Sequence, residues 1–179
     1  MAVAEKLTIE DFEKLPPALA YYHELDDGQL VDVSGNTPRH IALRDYLAAR
    51  MLLYVHERRL GWVAAEQEYQ FGDNAHGPDI SFCRPEKKPL VEDDRRVQLF
   101  VPDLAVEVVS KNDTFGSVVR KARHYIRYGT QEVWVFLISS REVYYNSKDH
   151  DRILRDHEMF ESNLIPGFQV SLAELFDWN

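Results

Sequence analysis

Cysteine is nearly absent from this chain of 179 residues: Cys83 stands alone, which excludes an intrachain disulfide framework and a cysteine-rich zinc site. Long apolar runs are missing as well. Stretches such as 51–55 fall far short of the roughly 18–20 residues of a membrane span, and the opening MAVAEKLTIEDFEK is acidic, without the apolar centre of a signal peptide. Basic charge is in short supply: 21 Lys and Arg face 30 Asp and Glu, for a net charge of −9, which argues against a protein that coats nucleic acid by charge alone. No internal repeat or low-complexity tract occurs. What remains is a chain 45% hydrophobic, enough to fill a core, and of a length that suits one domain over 1–179. The expectation is a soluble cytoplasmic protein in a reducing compartment, with no membrane partner.

Turn and cap signals divide the chain. Thr8 and Asp11 open a helix that stops before Pro16-Pro17, and Asp26-Asp27-Gly28 joins strands 21–25 and 29–34 as a hairpin. Residues 38–60 read as a long helix between Pro38 and Gly61, with Ile41, Leu47, Ala48, Met51, Leu52 and Val55 facing the core. Strands are expected at 62–71, 79–83 and 101–109, then a helix at 114–128 with Phe115, Val118, Val119, Ala122, Tyr125 and Ile126 on one stripe. A strand at 132–138, a solvent-facing hairpin of 142–147 and 152–157, and a short helix from Ser171 follow. Residues 84–97, with two prolines and mixed charge, read as a flexible surface loop. The strand–helix–strand unit over 101–138 predicts two parallel strands. The class is α/β, a mixed β-sheet core flanked by helices.

Glu107 is the anomaly that carries chemistry. It interrupts Leu104-Ala105-Val106-Glu107-Val108-Val109, and a carboxylate in such a strand needs a cation, a hydrogen-bond donor or a raised pKa, unless it sits at the strand's end and reaches water. Asp79, behind Gly77-Pro78, shares a strand face with Ser81 and Cys83 and could converge with Glu107, although Pro78-Asp79 alone would read as a turn. Asp103 has the right parity but lies about 13 Å away along the strand, too far to share one ion. Two carboxylates with open positions suit Mg²⁺ or Mn²⁺. Lys121 lies at the border of the helical stripe, where it could reach the same place or extend to solvent. Its surroundings reverse the chain's sign: in 111–130, Lys111, Arg120, Lys121, Arg123 and Arg127 face Asp113 alone. That is either a solvated helix face or a phosphate-facing surface.

Pro78-Asp79, Glu107 and Lys121 together resemble the PD-(D/E)XK nuclease superfamily, and within it a large bacterial branch of restriction-endonuclease-like proteins long grouped as a domain of unknown function. The resemblance spans nearly the whole chain. It takes in Tyr22-His23-Glu24-Leu25, Asp27-Gly28-Gln29-Leu30-Val31, Pro38-Arg39-His40, Pro102-Asp103, Val108-Val109-Ser110, Tyr125, Gly129, Glu132-Val133-Trp134-Val135 and Ile165-Pro166-Gly167-Phe168. It implies a restriction-endonuclease-like fold and metal-dependent DNA hydrolysis. Asp79, Glu107 and the backbone carbonyl of Val108 would bind Mg²⁺ or Mn²⁺, and Lys121 would be catalytic. The superfamily's usual lysine position, two residues after the glutamate, is Val109 here; the resemblance to the branch implies that the lysine stands instead on the next helix, as Lys121. Glu24, Ser110 and Tyr125 are supporting positions, with Lys111, Arg120, Arg123 and Arg127 toward DNA. Ala75-His76-Gly77, Lys111 and Phe136-Leu137 depart from the branch's pattern. Four of the seven histidines, His40, His56, His76 and His124, are scattered and read as surface or structural.

Two further readings stand beside the endonuclease: a nuclease fold that binds DNA or protein without cutting, and a metal-independent domain with Glu107 paired to a buried arginine. Ala42, Leu43, Tyr46 and Leu53, off the main stripe of the long helix, predict a homodimer.

Overall fold

The computed structural model describes residues 6–33, 36–109 and 115–177. In chain order the elements are helices α1 (Ile9–Glu13) and α2 (Pro17–Ala20), strands β1 (His23–Asp26) and β2 (Gln29–Asp32), helix α3 (Pro38–Arg58), then strands β3 (Trp62–Ala65), β4 (Glu68–Phe71), β5 (Asn74–His76) and β6 (Ile80–Cys83). A 3-10 helix (Pro85–Leu90) leads to β7 (Val97–Gln98), β8 (Leu104–Val108), α4 (Phe115–Arg127) and β9 (Glu132–Leu137). The chain ends with β10 (Glu142–Ser147), β11 (Asp151–Arg155), β12 (Met159–Glu161), β13 (Gln169–Ser171) and α5 (Leu172–Phe176).

A six-stranded mixed sheet, ordered β11-β10-β9-β8-β6-β3, forms the centre. Its β8 and β9 are parallel, as the crossover through α4 requires, with Glu107 beside Val135. Alternation sorts its side chains. Ile80, Phe82, Leu104, Val106, Val108, Trp134 and Phe136 pack with α3 and α5 on one face. Cys83, Ala105, Val133 and Val135 pack with Val118, Ala122 and Tyr125 of α4 on the other. Glu107, two residues after Ala105, therefore points to the α4 side. A second sheet, β2-β1-β5-β4-β7, holds the N-terminal hairpin.

Helix α3 starts where Thr37 accepts the His40 N–H, with Pro38 in its first turn. Its buried line is His40, Leu43, Leu47, Met51 and Val55. Leu43 thus belongs to the core, whereas Ile41 and Leu52, expected inside, are exposed: the helix meets the sheet along one narrow i, i+4 line. Gly61, at φ +143, lies so close to the Cys83 carbonyl that a Cβ there would stand 2.0 Å from its oxygen.

Three further expectations are corrected. The strand expected over 62–71 is two strands in different sheets, because Glu66 adopts φ 54 and turns the chain between them. The strand β10 is interior rather than solvent-facing, with Val143, Tyr144, Tyr145 and Asn146 buried between β9 and β11. Residues 84–97 carry a 3-10 helix and are pinned by Arg84 and Lys87 on Asp103 and by Arg95 on Glu13. No described helix is long and apolar enough to cross a membrane.

Candidate active site

The two sheets part at the carboxyl end of β8, and the site forms in that gap. The β6–β8 ladder ends at Ile80 opposite Val106, while β8 continues beside β9 to Val108. Before Ile80 the chain turns away through Gly77-Pro78-Asp79 into β5 of the second sheet. Continuing the register one step puts Asp79 across from Glu107. The Val108 N–H, which loses its strand partner there, donates instead to Asp79 Oδ2 at 2.7 Å. A structural requirement of the sheet edge thus fixes the aspartate beside the glutamate.

Glu24 arrives from the second sheet. With Leu25 opposite Ala75 in the β1–β5 pair, Glu24 falls opposite His76. The Gly77 N–H donates to its Oε1 at 2.9 Å, and His76 Nδ1 lies 3.0 Å from its Oε2. From α4, Lys121 Nζ reaches between the sheets, 3.0 Å from Glu24 Oε1 and 3.1 Å from Glu107 Oε1. The Tyr125 hydroxyl, one turn further along α4, donates to the same Glu107 oxygen at 2.7 Å. On the opposite side His40 Nε2 stands 3.3 Å from Asp79 Oδ1, and its buried Nδ1 has no partner among the described residues.

Charge is unevenly compensated here. Burial alone would raise Glu24, but Lys121 and His76 hold its carboxyl at about 2. Glu107 goes the other way: burial, together with the charges of Asp79 and Glu24, outweighs Lys121 and pushes it up to about 7. Burial would lower the Lys121 ammonium, yet Glu107 and Glu24 raise it above its ordinary value. Burial depresses His40, and its contact with Asp79 more than restores it.

The expected residues Asp79, Glu107, Lys121, Glu24 and Tyr125 therefore converge. Glu107 pairs with lysine rather than with a buried arginine among the described residues, and Asp79 lies beside it, which removes the metal-independent reading's structural premise. Asp103 sits at the other end of β8, fully buried, accepting from the Arg84 N–H and from the Arg84, Lys87 and Gln131 side chains. Glu132, beside Leu104 at that same end, is likewise held by Trp134, Ser162 and the Asn163 N–H. Those two carboxylates are pins of the fold. Ser110 and Lys111 lie outside the described residues. Arg120, Arg123 and Arg127 form one exposed stripe of α4, about 100–160° round the helix from Lys121, and Arg123 bonds Tyr144. They face away from the gap. His40 and His76, read with other histidines as surface or structural, are structural: both are buried against the site carboxylates.

The profile of the Uma2 family, described as "Putative restriction endonuclease", matches residues 9–173. A crystal structure of a protein from Anabaena variabilis ATCC 29413, described as "a putative nuclease belonging to DUF820", is similar with a TM-score of 0.85 at 21% identity. The match covers 96% of this chain and 98% of that one, and at such identity it shows a shared fold. No curated protein matches the chain.

Proposed function

The chain belongs to the Uma2 restriction-endonuclease-like family, and on that premise we propose that it is a metal-dependent endonuclease hydrolysing phosphodiester bonds of nucleic acid, with DNA as substrate. The observation that carries the reading is the meeting of Asp79, Glu107 and Lys121 where the two sheets part.

The donors suit Mg²⁺ or Mn²⁺. Among the described residues no three His, Cys, Asp or Glu side chains form a cage. Mg²⁺ does not need one, since it takes one or two carboxylates and fills the rest of its shell with water and phosphate oxygens. Burial first, and then the charges of Asp79 and Glu24, raise the Glu107 carboxyl despite Lys121, and a divalent cation bound there would favour its ionised form. Asp79 and Glu107, with the Val108 carbonyl, would hold the ion, which when bound supplies Lewis-acid polarisation of a phosphoryl oxygen and acidifies water. Lys121, charged and fixed at the rim, would orient the attacking water and offset charge developing on the phosphate. Tyr125 keeps Glu107 in place, and His40 and the Val108 N–H keep Asp79 in place. A homodimer through the exposed Leu52 and Leu53 of α3 would present two such sites to two strands.

A binding module that has lost its chemistry would have no need of this constellation. Mg²⁺ or Mn²⁺ titration with heat unfolding separates the two: a site that binds the ion raises the melting temperature by mass action. The reading itself is tested with plasmid, duplex oligonucleotides and RNA in Mg²⁺ and Mn²⁺. Asp79→Ala, Glu107→Ala and Lys121→Ala should each abolish cleavage, and cleavage retained by all three overturns it.

A further inference from the structure

We propose that Glu24, fixed by His76 and the Gly77 N–H, is a positioning residue that anchors Lys121 over Glu107 and does not serve as a ligand of the metal. The inference rests on the nuclease reading and assigns the roles of two residues within it.

Three carboxylates lie near Lys121, and their hydrogen bonds differ. Glu24 Oε1 accepts from the Gly77 N–H at 2.9 Å and from Lys121 at 3.0 Å, which occupies both of its lone pairs. Its Oε2 faces His76 Nδ1 at 3.0 Å. The carboxylate is thus gripped by a backbone amide, an imidazole and an ammonium, with its side chain only 9% exposed. Glu107 uses Oε1 for both Lys121 and Tyr125, and its Oε2 makes no hydrogen bond to a described residue. Asp79 takes one backbone N–H and one imidazole contact. The room left for a cation is on Glu107 and Asp79.

The anchor is needed because Lys121 is a long side chain with four rotatable bonds, and alone it would extend to solvent. Two carboxylates set on different sheets pin its ammonium from two sides. His76 is the least replaceable support of Glu24. It is 5% exposed, and its ring is enclosed by Phe71, Tyr125 and His124. Its other nitrogen lies 3.8 Å from Asp26, which favours the orientation that keeps Nδ1 on Glu24.

The test compares Glu24→Gln, His76→Ala and His76→Asn with wild type, all confirmed folded by melting. Asparagine can place its Nδ2 where His76 Nδ1 stands. Three quantities are read: kcat, the rise in melting temperature on Mg²⁺ addition, and the rate at which an amine-reactive acylating reagent labels Lys121, followed by mass spectrometry. Glu24→Gln and His76→Ala should lower kcat about 10- to 100-fold, the cost of a misplaced catalytic group. They should keep the rise in melting temperature on Mg²⁺ addition and label Lys121 about tenfold faster. His76→Asn should restore slow labelling and most of the rate. Loss of the Mg²⁺ response in Glu24→Gln would make Glu24 a ligand and overturn the assignment, as would unchanged labelling of Lys121. Wild type that never cleaves but shows the expected labelling pattern would remove the nuclease reading and leave the anchor standing.

Discussion

Replacing Glu107 by Gln should stabilise the metal-free protein at alkaline pH while abolishing its activity. In the folded chain the carboxyl is pushed from an ordinary 4.5 to about 7, first by burial and then by Asp79 and Glu24. A group whose folded pKa lies above its unfolded value keeps its proton longer when folded. Its ionisation therefore costs nothing below pH 4.5, costs progressively more through the window from 4.5 to 7, and costs the full amount above it. The full cost is about 3 kcal/mol. Glutamine has no such ionisation and preserves an oxygen acceptor for Tyr125 and Lys121. In EDTA the two proteins should melt together near pH 5, and the variant should melt about 6–12 °C higher at pH 8.5. Urea unfolding across the same range gives the free energies directly. Measurements stay above pH 4.5, because Glu24, held at about 2, contributes stability that is lost as pH falls from 4.5 through 2. Addition of Mg²⁺ should close the gap by stabilising wild type alone. A Glu107→Gln protein no more stable than wild type at pH 8.5 in EDTA would show that the carboxylate is not the uncompensated charge inferred here.

Other consequences are simpler to check. Asp103→Ala should cost roughly 3–5 kcal/mol in urea unfolding, because it leaves Lys87, Gln131 and the Arg84 N–H without their shared buried acceptor. Cys83, fully buried and with its thiol pushed up to about 11 by burial, should resist alkylation until the protein unfolds. Sedimentation should find a dimer that Leu52→Glu with Leu53→Glu converts to monomer, and a monomeric wild type contradicts the dimer.

Much of the site was legible in the sequence because its signal is local. Glu107 stood out in an apolar strand, Asp79 shared parity with Ser81 and Cys83, and Lys121 bordered a helical stripe. Their roles came from resemblance. His40 and His76 were not legible, since a lone histidine carries no pattern. Their meaning depends on Asp79 and Glu24, which only the folded chain brings to them. The break at Glu66 was hidden too, because a non-glycine residue at positive φ leaves no mark in composition. The stripe of Arg120, Arg123 and Arg127 was read from charge, but its direction depends on how α4 packs, and it packs with those arginines outward. The net charge of −9 is likewise an average, with the basic stretch 111–130 set against an acidic N-terminal hairpin.

The central claim is put most directly to the test by conversion of supercoiled plasmid to nicked or linear DNA. Wild type should convert it in Mg²⁺ or Mn²⁺ and stop on addition of EDTA, while Glu107→Ala, folded and at the same concentration, leaves the plasmid intact. Equal cleavage by wild type and Glu107→Ala, or cleavage that persists in EDTA, would contradict the account.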